Sequence, residues 1–349
     1  MTEFKEISEL MGNKDEPEEP IKNEEFAFSV DEKDMLSYLN NKVNQINQAI
    51  DAASFVKIEA KFDKIIISGM GASAIAGDLM KLYVKTIPIL INKSYTLPKF
   101  VDKNTLLISI SYSGDTEETI SCFRKGLRIG CPMLAITSGG KLLELCERTK
   151  TPFIKIPDNH TPRSAICHLF FSMLSALQNN KIISDKSEDI QKTIKVLKND
   201  YTEKAKVLAT KIANKIPIIY TSNKLQPVGL RWKEQFNENA KTMAFNNVFP
   251  ELDHNEIVGY DNVIGDYFVI ILKDEEDMGK IISRMNITKK IIKDKGVNIT
   301  EIQLKGDNKL ARMFTAIQIG DLTSYYLALL YGIDPTPTRS IDEIKKNTI

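Results

Sequence analysis

Buried strands that alternate with helical segments predict an α/β protein with parallel sheets covered by helices on both faces. Three observations carry this expectation. KIIISGMG (64–71), TLLISI (105–110) and PMLAITSGG (132–140) carry near-continuous aliphatic runs, as strands buried on both faces require. Each runs into a loop rich in glycine or hydroxyl side chains. The order of strand, polar loop and helix then restarts at IPIIYTSN (216–223), which divides the chain into two similar lobes.

The elements follow in order. Residues 1–25 are polar and acidic, a tail rather than a secretory signal. Residues 31–53 have helical periodicity. The strand at 64–71 ends in a glycine turn and leads into a helix to about residue 83. Strands at 87–92 and 105–110 follow, then a helix over 116–130 and a strand with a third turn at 132–140. A helical stretch at 163–178 and a lysine-rich helical region at 185–214 separate the lobes. In the second lobe, QPVGLRWKEQFNENAK is a helix, and YFVIILKD (267–274) and NITEIQL (298–304) are strands separated by another. Ser340 and Glu343 have the spacing of a capping box for a short terminal helix. The expected domains are 26–180 and 215–333, with 1–25 a tail, 181–214 a helical linker and 334–349 a terminal segment.

Composition narrows the function. The 349 residues are 42% hydrophobic and 27% charged with a net charge of +1, so no global field favours nucleic acid. The longest apolar runs, such as YYLALLYGI, are too short to span a membrane. Cys122, Cys131, Cys146 and Cys167 form no CxxC pair and read as reduced cytoplasmic thiols. His160, His168 and His254 lack paired ligand spacing, so no metal is expected.

SYSGDTEET (111–119) packs five hydroxyl side chains and three carboxylates into nine residues at a strand's end. Ser111, Ser113 and Thr116, with unpaired helix amides, can enclose a phosphate without a cation. Asp115, Glu117 and Glu118 sit where a helix starts and suit its dipole, and Asp115 and Glu118 have capping-pair spacing. ISGMGASA has dinucleotide-fingerprint spacing, but the next strand ends in Asn92 and Lys93 and lacks the acid such a site needs. What remains is a tight turn, either ligand-free or presenting backbone amides and Ser73 to an anion or sugar. TSGGK adds a third turn and a lysine, Lys141. In RWKEQFNENAK, Trp232, Phe236, Ala240 and Met243 form a core stripe, whereas Arg231, Glu234 and Glu238 share the opposite face. That face is either solvated and neutralised by Arg231 and Lys241, or holds a general base. His254 follows in a polar loop, either structural or suited to proton transfer beside such a base.

Taken together and in order, GMGASAIAGD, SYSGDTEET, TSGGKL, TPRSA, NENAK, ELDHNEIVG and TPTRSIDEIK resemble the archaeal-type bifunctional phosphoglucose/phosphomannose isomerases, built from two SIS (sugar isomerase) domains. The resemblance covers the chain after about residue 25; SYSG-x-TEET alone marks only the SIS superfamily, and the later motifs in order are more specific. It implies two SIS-type lobes, each a mainly parallel sheet flanked by helices, and a C-terminal helix closing the active site. It also implies a cytoplasmic, cofactor-independent isomerase of hexose 6-phosphates, acting as a homodimer. In such a protein Ser111, Ser113 and Thr116 would bind the phosphate, helped by Ser73 and the turn at Gly71. Glu238, rather than Glu234, would move the proton between C1 and C2. His254, which in relatives reaches across from the neighbouring subunit, would assist ring opening with Lys345. Arg163 would stabilise the enediolate, and Thr338 would leave room for either C2 epimer.

Two positions depart from the family. Ala72 stands where a second glycine is common, and a methyl there costs about 1 kcal/mol if the site needs positive φ. Asp115 replaces an asparagine, placing a charge beside the phosphate. Alternatives are a SIS regulator that binds sugar phosphate without turnover, or a SIS isomerase with another substrate.

Overall fold

The computed structural model describes residues 26–159 and 161–348; the acidic stretch 1–25 and His160 lie outside the described residues. After a 3-10 turn at Phe28–Val30, the helices are α1 (Met35–Asn40), α2 (Lys42–Ala53), α3 (Gly71–Tyr83), α4 (Glu117–Ile129), α5 (Gly140–Thr149) and α6 (Ile166–Asn179). They continue with α7 (Ser187–Leu197), α8 (Thr202–Ile212), α9 (Gln226–Glu238), α10 (Gly279–Asp294), α11 (Lys309–Leu330) and α12 (Arg339–Asn347). The strands are β1 (Lys64–Ser68), β2 (Ile89–Asn92), β3 (Thr105–Ile110), β4 (Met133–Thr137), β5 (Phe153–Lys155), β6 (Ile216–Ser222), β7 (Phe245–Phe249), β8 (Tyr267–Asp274) and β9 (Asn298–Leu304).

The chain forms two compact units, 41–194 and 26–40 with 195–348. The division falls within α7 rather than at the ends of the 181–214 region, and it assigns 26–40 to the later unit. The reason for the second assignment is local. Phe26 meets Tyr326 edge-to-face at 5.4 Å, and the Tyr325 hydroxyl donates to Asp31 at 3.0 Å. The Lys206 ammonium lies 5.6–6.0 Å from the rings of Phe26, Phe28 and Tyr326.

In the unit 41–194 all pairings are parallel and the strand order is β2-β1-β3-β4-β5. Successive residues of β1 face opposite ways. Ile66 joins Leu107, Phe123, Ala135 and Leu142 in a buried cluster under α4 and α5. Ile67 packs on the other face beneath α3, where Gly77 leaves room for it. In the other unit the order β7-β6-β8-β9 is also wholly parallel. Tyr220, Ile271, Met285 and Ile292 form its core on one face. On the other, Trp232 of α9 donates its indole N–H to the Ala316 carbonyl of α11 at 2.9 Å. Leu310 to Leu329 of α11 are all buried, Arg312 and Asp321 included. No helix among the described residues is long and apolar enough to cross a membrane.

Several elements differ from the sequence expectation. The helix expected over 31–53 is two helices, broken at Asn40–Asn41, residues that compete with helical bonding. Helix α5 follows the third glycine turn, and the short edge strands β5 and β7 were not foreseen; FNNVF is too polar to register as a strand. The C-terminal capping box is not formed, because α12 starts at Arg339 and places Ser340 inside its first turn.

His168 of α6 is buried, with Nε2 3.0 Å from Gln48 Oε1. Burial lowers its pKa from 6.5 to about 4. The unfolded chain therefore takes up a proton below 6.5 that the folded chain refuses until about 4. Stability should be full above that window and fall as pH drops through it, and His168→Gln should flatten the fall. Urea denaturation midpoints across the window test this.

Candidate functional site

In the unit 41–194, the strand order reverses between β1 and β3, and ligands of such sheets bind at the carboxyl ends of those two strands. The loops there are Gly69–Ala72 and Ser111–Thr116. Gly71 has φ of +50°, the left-handed conformation glycine favours. Ala72 lies inside α3, so the strain anticipated for its methyl does not arise. Ser73 is buried in the first turn of α3.

In the second loop the hydroxyls divide their work. Ser111 is 1% exposed, and its Oγ accepts from the amides of Gly114 (3.1 Å) and Thr116 (3.4 Å) and donates to Thr116 Oγ1 (2.9 Å). It organises the loop from within. Ser113 is exposed and Thr116 half-buried at the open end of α4. Thr116 is the N-cap of α4 and makes no side-chain capping bond, so the expected Asp115–Glu118 capping pair is absent. Glu117 and Glu118 do occupy the first turn of α4, where its dipole favours them. Asp115 instead accepts from the Lys141 amide at 3.0 Å. Arg163 is buried in the 3-10 turn Pro162–Ala165.

In the other unit, Glu238 is the last residue of α9. With Asn237, Lys241, Thr338 and Arg339 it lines a cleft of about 620 Å³. The structure thus brings Glu238 and Thr338 together, and Lys241 is the link. Its ammonium donates to the Glu238 carbonyl and, at 3.0 Å, to the Pro335 carbonyl. Lys345 and Lys346 are both exposed on α12 and do not line this cleft. His254 ends the 3-10 turn Glu251–His254, exposed and outside the cleft lining. Its neighbours are fixed: Asp253 accepts from Arg284 (3.1 Å) and Thr288 (2.8 Å), and Glu256 from Tyr220 (2.6 Å) and Asn247.

The face of α9 that carries Arg231 is not solvated, which corrects one of the two sequence readings. Arg231 is buried against Asp321 of α11, Nε to Oδ1 at 3.0 Å and Nη2 to Oδ2 at 2.9 Å. Gln235 also donates to Asp321 (3.0 Å), and Asn239 donates to Ser324 (3.0 Å). Because α9 ends at Glu238, Met243 lies beyond it and is 66% exposed rather than core. Asp321 was not singled out from the sequence; its signal was a lone acid within the apolar run QIGDLTSYYLALL. In the second sheet β6 ends in Thr221 and Ser222, both buried, and β8 ends in Asp274. There Arg312 pairs with Asp274 at 2.8 Å and Glu276 at 2.7 Å.

Two parallel sheets flanked by helices, with a hydroxyl loop at the switch point of one, put the candidate ligand edge of the unit 41–194 at the carboxyl ends of β1 and β3. Residues 201–347 match the family described as the bacterial phospho-glucose isomerase C-terminal SIS domain. A bifunctional phosphoglucose/phosphomannose isomerase of Caldicellulosiruptor bescii is 39% identical over 332 residues, 89% of this chain and 98% of the relative. One from Thermoplasma acidophilum is 37% identical over 82% of this chain and 89% of its own. The C-terminal domain of glucosamine-fructose-6-phosphate aminotransferase from Francisella tularensis has the same fold, with a TM-score of 0.68 at 15% identity over 87% of this chain and 98% of that one. The chain belongs to the bifunctional phosphoglucose/phosphomannose isomerase family.

Removing one partner of a buried pair leaves the other charge uncompensated. Asp321→Ala should therefore destabilise the protein by about 3–5 kcal/mol, read from urea unfolding.

Proposed function

We propose that this protein is an aldose–ketose isomerase that interconverts glucose 6-phosphate and mannose 6-phosphate with fructose 6-phosphate. The observation that carries the reading is the cleft shared by Glu238 and Thr338. A half-buried carboxylate beside a cleft large enough to admit a hexose phosphate suits proton transfer at carbon.

The phosphate serves as a remote handle. Ser113, Thr116 and the first-turn amides of α4 receive it, Ser111 holds the loop in shape, and Ser73 with the Gly71 turn supports it. His254 and Lys345 open the sugar ring. Glu238 takes the proton from C2 of the open aldose, leaving a cis-enediolate whose charge Arg163 stabilises. Returning that proton to C1, while the O2 hydrogen passes to O1, gives the ketose. Thr338 leaves space for either configuration at C2. Every electron pair stays within the substrate, so the reaction needs no cofactor.

The protein acts as a homodimer in the cytoplasm, supplying glycolysis and gluconeogenesis. Two observations support the dimer: His254 lies outside the cleft that Glu238 lines, and exposed apolar side chains follow it, Val258 at 64% and Ile264 at 85%. The four cysteines are free thiols, as a reducing compartment allows.

Both aldoses should yield fructose 6-phosphate at rates undiminished by EDTA. Glu238→Gln should lower kcat by about 10²–10⁴-fold. A coupled assay measures both, and activity retained in that variant sinks the role of Glu238. Binding of glucose 6-phosphate without turnover by the native protein would identify a sensor instead.

A further inference from the structure

Asp115 is the one acid of SYSGDTEET that helix initiation leaves unexplained. Its contacts point across to the next loop, not along its own helix. Its Oδ1 accepts from the Lys141 amide in the first turn of α5 at 3.0 Å. Both of its carboxylate oxygens lie 2.9 Å from where a Cβ on Gly140 would stand, so only a bare backbone fits beneath it.

Three further bonds join the same two loops. The Leu142 amide donates to the Gly114 carbonyl at 2.9 Å. The Ser138 amide and hydroxyl both donate to the Tyr112 carbonyl, at 3.0 and 2.6 Å. Gly114 has φ of +80°, and a Cβ there would stand 1.9 Å from the Gly139 carbonyl oxygen. The hydroxyl loop and the third glycine turn are therefore one joint. Asp115 supplies its only charged member among the described contacts.

We propose that Asp115 is a positioning residue for the phosphate loop: it fills the amide end of α5 and thereby locks Ser113 and Thr116 at the open end of α4. The inference rests on the phosphate-binding role assigned above to that loop. Adjacent helix starts at one sheet edge both present unpaired amides to an anion. Asp115 satisfies the second of them from within, which leaves the first for the substrate. The charge that seemed opposed to phosphate binding is spent on a neighbouring helix. What matters on this account is the acceptor oxygen, because an asparagine Oδ1 can make the same bond.

The test compares Asp115→Asn, which keeps an acceptor, with Asp115→Ala, which removes it. Lys141→Pro deletes the donor from the other side, in a first helical turn where proline is tolerated, with Lys141→Ala as its side-chain control. Asp115→Ala and Lys141→Pro should each raise KM for glucose 6-phosphate about tenfold with kcat within about twofold, as expected when a hydrogen bond no longer holds the loop. Asp115→Asn and Lys141→Ala should stay within about twofold of the native KM. A purely structural role would lower the melting temperature and active fraction but leave KM unchanged, and that result overturns the proposal. So does an Asp115→Asn variant as impaired as Asp115→Ala, or a folded Lys141→Pro protein with native KM if Asp115→Ala does not fold. Should the native protein bind glucose 6-phosphate without turning it over, the same contrasts are read as Kd by calorimetry. A native protein that neither binds nor isomerises it fails the phosphate-site reading itself, a different result from native activity with indifferent variants.

Discussion

Every strand pairing in both sheets is parallel, and this constraint shapes the rest of the molecule. Parallel neighbours cannot be joined by a tight hairpin, so each connection must cross back as a helix or long segment. The carboxyl ends of all strands in a sheet then share one edge, and the helix starts that follow them crowd there with unpaired amides. Where the strand order reverses, the connections diverge and leave a crevice. The loops after β1 and β3 are at that place in the unit 41–194. The other unit has the same reversal between β6 and β8, and there the end of β8 and the segment after it pair with Arg312 of α11.

The second sheet contributes by a different route, through the end of α9. That helix is held at its middle by a buried bidentate ion pair, Arg231 with Asp321. Desolvating two charges is costly, and the pair is tolerable because Gln235 supplies a further hydrogen bond to Asp321. Asn239 bonds to Ser324 one residue beyond Glu238, so the general-base candidate sits between two fixed points. Lys241 then ties the same turn to Pro335, which brings Thr338 to the cleft. The interactions that place Glu238 are thus buried polar contacts on α11 and in the terminal segment, far away in sequence.

Much of this was legible in the residues. The strands KIIIS, TLLISI and YFVIILKD declare themselves because a strand buried on both faces must be apolar throughout. The hydroxyl loop was legible as the end of a strand because its serines, threonines and glycine break the apolar run. Edge strands were not: FNNVF and FIK are short and partly solvated, so they lack an apolar run. The face of α9 stayed ambiguous, solvated or functional, for a related reason. Periodicity shows that Arg231 and Trp232 point differently, but it cannot show that a second helix covers the charged side as well.

The sequence by itself determined the α/β class, the restart of the strand, loop and helix order in a second lobe, and the strand ends that carry the loops. These follow from local composition and spacing, which act over a few residues. Only the tertiary structure decided which partner each charge takes. Asp115 reads locally as the cap of its own helix, yet it serves α5; Arg231 reads as solvated, yet it is sealed against Asp321. Hydrogen bonding and desolvation depend on what lies within a few ångströms in space, and residues 26 or 90 positions apart are brought that close only by the packed sheet and helices.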